Sequence, residues 1–179
     1  MTIHHRPEAR TGRKPPGTTT RPAAEDFPED LRAWMNGPAL LRLAHSVAQE
    51  HTVTSLRAVF SVSATRFHHP WRMLALLTYA YASGIWQSRA ITGMAALDPN
   101  LAALCHGEAP SMEIIRRFRN HNRLAVLRCL EQLLRRLWCH RFNQKATALR
   151  PLLLVEILCD ARLRLQRAEG CEEPGDKPF

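Results

Sequence analysis

His69-Pro70-Trp71-Arg72-Met73-Leu74-Ala75-Leu76-Leu77-Thr78-Tyr79-Ala80-Tyr81 is the stretch whose reading decides the fold. Trp71, Met73, Leu74, Leu76, Leu77, Tyr79 and Tyr81 fall on every side of a helix, so no face of it would rest in water. The segment predicts a central core helix. Pro70 suits the first helical turn, where its missing N–H would have had no partner, and Gly84 stands where a helix can end. The apolar run from Met73 to Trp86 falls short of the roughly 20 residues that span a bilayer, which favours a core helix and no membrane partner.

Toward the N-terminus, folded structure is expected from Pro28, with a short helix through Trp34 that stops at Asn36-Gly37. A second helix starts at Pro38: Leu40, Leu43, Ala44 and Val47 stand at i, i+3, i+4 and i+7, and the pattern ends near Glu50. Thr54 or Ser55 can cap a third, carrying Leu56, Val59 and Phe60, before a polar linker from Ser61 to Arg66. Residues 1–24 are rich in Pro, Thr, Arg and Gly with almost nothing to bury, which predicts a disordered basic arm.

Toward the C-terminus, Ser88 is the expected N-cap of a helix through Ala96, with Ile91, Met94 and Ala95 inward. Asp98-Pro99 opens a shorter helix through Leu104, halted by Gly107 and Pro110, and Ser111 caps the next. Short helices divided by tight breaks and followed by a basic one are the pattern of a helix-turn-helix or related bundle. On a helical wheel Ile114, Ile115, Phe118 and Ala125 gather on one side, while Arg116, Arg119, Asn120 and Arg123 share the other at i, i+3, i+4 and i+7. Val126, Leu127, Leu130, Leu133, Leu134 and Leu137 form another stripe, turned by roughly a third of a revolution. One straight helix would not keep both stripes in one core, so a break is expected at Asn120-His121-Asn122, with an asparagine capping the following helix. A last helix lies within Lys145 to Ala168, with Pro151 in its first turn. The expectation is an all-α chain: one compact bundle over 28–168 with a helix-turn-helix-like part, no sheet, and a short acidic tail over 169–179.

The formal net charge is +9, with an isoelectric point near 10.2, which favours a polyanionic partner. Between Ser111 and Arg141, eight arginines face Glu113 and Glu131, a net of +6; from Glu169 to Phe179 four acids face Lys177, a net of −3. The five cysteines form no C-x-x-C pair, and their odd number without a signal peptide suggests reduced thiols in a cytoplasmic protein. Cys139 and His140 are adjacent on a helix and point to different faces, so they build no metal site. No nucleophile with its base, phosphate loop or paired-carboxylate site is present in the pattern.

The order of signals from Phe67 to Arg123 resembles the N-terminal helical domain of bacterial insertion-sequence transposases, in the DDE group typified by insertion sequence five. His69-Pro70, Tyr79 and Tyr81, Gly84-Ile85, Ser88-Arg89 with Ile91, and Ile115 with Phe118-Arg119 stand in the family's order and spacing, and weaker likeness runs from about Leu40 to about Trp138. Two positions depart: Ile114 replaces the usual Thr, and Gln87 replaces the Ser before Ser88. In the full-length transposases a strand ending in Asp-Gly-Thr follows and supplies the first metal-binding carboxylate. Here Asp160 is followed by Ala161-Arg162-Leu163, and it reads as a surface helix residue.

The resemblance implies a DNA-binding module without the catalytic domain, not an enzyme, that recognises element ends of a mobile element or regulates its transposition. Double-stranded DNA is the expected partner, with Arg116, Arg117, Arg119, Asn120, Arg123 and Arg89 as contact candidates. Arginine forks match phosphate oxygens and guanine edges. No catalytic residue, metal, cofactor or small-molecule substrate is expected. Two other readings stay open: a helical protein–protein module that pairs with itself or a full-length transposase, and a truncated remnant without a task.

Overall fold

The computed structural model describes residues 27–51, 69–105 and 108–172. Among these residues there are seven α-helices and no strand: α1 (Gly37–Glu50), α2 (Pro70–Ala82), α3 (Ser88–Met94), α4 (Pro99–Cys105), α5 (Met112–His121), α6 (Arg123–Arg141) and α7 (Pro151–Gly170). Single 3-10 turns, Leu31–Ala33 and Ala146–Ala148, precede α1 and α7. The all-α expectation holds, and no described helix is long and apolar enough to cross a membrane. The basic arm over 1–24, the helix expected around Leu56, Val59 and Phe60 with its linker, Gly107, and the tail from residue 173 lie outside the described residues.

Helix α2 occupies the centre. Every residue from Met73 to Ala82 is buried, because α1, α4, α6 and α7 all pack around it. Each large apolar side chain so covered contributes about 1.5–3 kcal/mol relative to exposure. The one hydroxyl in the middle of this helix, on Thr78, donates to the Leu74 carbonyl at 2.7 Å and so needs no outside partner. Trp71 departs from the expectation of a core residue: it is half-buried, with the His45 ring edge-on at 4.7 Å and the Arg72 guanidinium over its face. Tyr79 and Tyr81 are fully buried, as expected of the central core helix.

Gly84 ends α2 in the way its position suggested. Its φ of +74° lets Ile85 N–H reach back to the Ala80 carbonyl at 2.9 Å, while Gly84 N–H approaches the Tyr81 carbonyl at 3.5 Å. That reciprocal pair is a Schellman stop, which residues with a Cβ rarely make.

Two expected caps are in place. The side chains of Asp98 and Ser111 accept from the N–H groups of Asn100 (2.8 Å) and Ile114 (3.3 Å), and Asn36, expected only as the stop of the preceding turn, caps α1 by accepting from Ala39 N–H (2.9 Å). Two others differ. The cap of α3 is Gln87 and makes no side-chain bond, which places Ser88 inside the helix with its hydroxyl available elsewhere. The break between α5 and α6 falls at Asn122 as expected, but that side chain donates back to the Phe118 carbonyl (3.2 Å) and closes α5 rather than opening α6.

Candidate functional site

Most of the arginines singled out in the sequence converge at one end of the bundle, where α3 packs on α5 and the last turn of α7 arrives. The convergence is real, but its sense differs from the expectation. Arg119, placed by the wheel on the outward basic face, is 3 % exposed. Its Nη1 donates to the Ala168 carbonyl (3.1 Å), to the Tyr81 hydroxyl (3.4 Å) and to Glu172 Oε1 (2.8 Å). Arg116 is largely covered as well, with Nε donating to Glu172 Oε2 at 2.9 Å. The wheel assumed that α5 is covered on one side. The end of α7 covers a second.

Glu172 therefore holds the centre of this cluster. Its Oε1 also accepts from the Ser88 hydroxyl at 2.5 Å and from the Ser88 N–H at 3.4 Å. Desolvation pushes this carboxyl up, but the hydrogen bonds from Ser88, Arg119 and Arg116 outweigh it and hold the group below its ordinary 4.5. Burial alone would lower the Arg119 pKa; Tyr81 and Glu172 more than offset it, so the guanidinium stays charged. Tyr81 is pushed up to about 12, chiefly by its own burial, and its hydroxyl remains protonated.

The remaining candidates are exposed. Arg117 pairs with Glu113 one helical turn away at 2.7 Å, and Arg123 pairs with Glu169 at 2.7 Å; their side chains are 59 % and 52 % exposed. Asn120 and Arg89 are also on the surface. Ion pairs so wet are worth about 0–1 kcal/mol and open easily.

The sequence reading passed over Arg164, Glu169 and Glu172. Arg164 is 2 % exposed and donates to the carbonyls of Pro28 (2.7 Å), Glu29 (2.9 Å) and Tyr81 (3.1 Å), while its Nε pairs with Asp160 at 2.7 Å. It ties the start of the described chain, the end of α2 and α7 together. A signal for it existed: position 164 lies at i+7 from Ile157 and i+3 from Ala161, inside the apolar stripe of its own helix. Glu169 and Glu172 had been assigned to the acidic tail. α7 instead runs to Gly170, which delivers both to the arginines.

Asp160, the carboxylate nearest to the transposase pattern, sits on α7 with Arg164 as its partner. Among the described residues no group of three or more His, Cys, Asp or Glu side chains is placed to hold a metal ion. All five cysteines are free, and burial raises Cys129 to about 12. Compared with protein-family models, with curated proteins and with solved structures, this chain finds no match.

Proposed function

We propose that this chain is a helical DNA-binding module of the insertion-sequence transposase type, acting on element ends or as a regulator of transposition, with no strand-transfer chemistry of its own. The observation that carries the reading is the gathering of Ser88, Arg116, Arg119 and Arg123, which are 35 residues apart in sequence at most, at one end of a bundle in a strongly basic protein. Phosphate contact would fall to the exposed members, Arg89, Arg117, Asn120 and Arg123. Arg119 would hold the platform beneath them. Asp160 has no catalytic part in this reading, since it serves Arg164.

Duplex DNA titrated at several salt concentrations tests the reading. Binding through phosphates should weaken as salt rises, log K falling against log salt by about 0.9 for each phosphate neutralised. Absence of binding at low salt would refute it. A second reading, pairing with another protein, is favoured by one observation: Leu152, Val155 and Leu163 are exposed along one stripe of α7. A salt-dependent gel shift with the purified chain separates the two, since a module that only pairs with protein retards no duplex.

A further inference from the structure

The carboxylate of Glu172 sits in a cradle that is built without it. Arg119 is oriented by the Ala168 carbonyl and the Tyr81 hydroxyl, both independent of Glu172. Ser88 is the buried first residue of α3, so the helix fixes the direction of its N–H, and its hydroxyl meets the same carboxylate oxygen. Arg116 approaches the carboxylate from one helical turn before Arg119. Two guanidinium groups, a hydroxyl and a backbone N–H thus converge on one oxyanion, and one of those guanidinium groups is almost fully buried.

Glu172 is held by its side chain rather than by its backbone. Among the described residues the last backbone hydrogen bond of the chain is Cys171 N–H to the Arg167 carbonyl at 2.9 Å, and Glu172 stands one residue beyond it, past the end of α7. Its withdrawal would disturb no packed helix. It would leave two cations and two neutral donors around a hole of oxyanion size, a donor set that suits a phosphate better than a carboxylate because a phosphate offers more acceptor oxygens.

We propose that Ser88, Arg116 and Arg119 form a phosphate-binding site that the chain's own Glu172 occupies as a removable stand-in. The source of the phosphate, a nucleic-acid backbone rather than a free phosphate compound, rests on the DNA reading above; the site does not. Opening is a competition: a phosphate must displace Glu172, while Glu169, inside α7, keeps its pair with Arg123. The latch then sets how readily the basic end of the bundle engages DNA.

The test uses the full chain, parent and Glu172→Gln, in thermal unfolding with inorganic phosphate or chloride at matched ionic strength. Glu172→Gln should melt below the parent in chloride and be raised by phosphate well beyond any rise in the parent, because a ligand that binds only the folded state stabilises it. Adding Arg116→Met should abolish that gain. If Glu172→Gln does not fold, Glu172→Asp, which withdraws the carboxylate by one methylene, should show the same selective gain in smaller measure. Equal phosphate effects on parent and variant, or a gain that survives Arg116→Met, overturn the proposal. A duplex DNA arm distinguishes the source: Glu172→Gln should bind about tenfold tighter than the parent, the scale of one added charge-assisted contact. Selective stabilisation by phosphate without tighter DNA binding upholds the site, assigns it to a small phosphate compound and counts against the DNA reading alone.

Discussion

Arg119 and Arg123 are one helical turn apart in sequence and share the same basic stretch, yet they live in different solvents. Arg119 is buried against a carbonyl, a phenol and a carboxylate; Arg123 is half in water beside Glu169. Arg164 belongs with the first and Arg117 with the second. The inner pair acts on the fold, since an arginine taken out of water needs acceptors: Arg164 finds them through Nε and both Nη atoms, and Arg119 finds three through Nη1 while its buried Nε meets none among the described residues. The outer pair contributes little to the fold and is accessible to a partner. Charge counted along a sequence merges these two roles. Exposure separates them.

Removal of an inner arginine should produce the largest effect. Arg164→Met removes the guanidinium donor to the carbonyls of Pro28, Glu29 and Tyr81, of which Tyr81 keeps the Gly84 N–H, and leaves Asp160 without its cation, so a loss of about 3–5 kcal/mol is expected in denaturant unfolding. A loss under about 1 kcal/mol, the range of a surface pair, would break the comparison. Arg119→Met should follow closely, because Glu172 keeps Ser88 and Arg116 but loses its buried partner; chemical unfolding again reads it.

Acid sharpens the same contrast with a smaller effect. Glu172 has a folded pKa below its ordinary 4.5, so its contribution to stability is complete above about pH 4.5 and is lost as pH falls through the lowered value. The parent should lose stability in that window, and Glu172→Gln, lower at neutral pH, should lose less. Identical acid profiles would mean that the cluster contributes nothing to the fold.

The smallest stability effect belongs to the outer arginines. Arg117→Ala removes an exposed i, i+4 pair with Glu113 and should cost about 0.3–0.5 kcal/mol in thermal or denaturant unfolding. A cost several times larger would place Arg117 among the inner set.

Much of this fold was legible because apolar periodicity is a local signal. The apolar run after Pro70, the i, i+3, i+4, i+7 stripe from Leu40 and the Asn122 break each follow from a few neighbouring residues, and each is where it was expected. The candidate site was legible only as a list of members. Its orientation depends on a pairing across about fifty residues, α5 with the end of α7, and composition showed a basic stretch and an acidic one without saying that they meet. Arg119 did carry a hint, since it lies at i+4 from the buried Ile115 and so borders the apolar side of its helix. Ser88 was read as a cap because Ser often is one, and its hydroxyl proved to be committed to Glu172.

The most direct test of the division between inner and outer arginines compares two variants on two readouts: the double variant Arg117→Ala with Arg123→Ala, and the single variant Arg119→Met. The outer double variant should keep its melting temperature within a few degrees of the parent and lose about 1.8 from the salt slope of duplex binding, 0.9 for each phosphate contact. Arg119→Met should lose melting temperature first. An outer variant that stays folded and binds duplex DNA with the parent's affinity and salt slope would contradict the account.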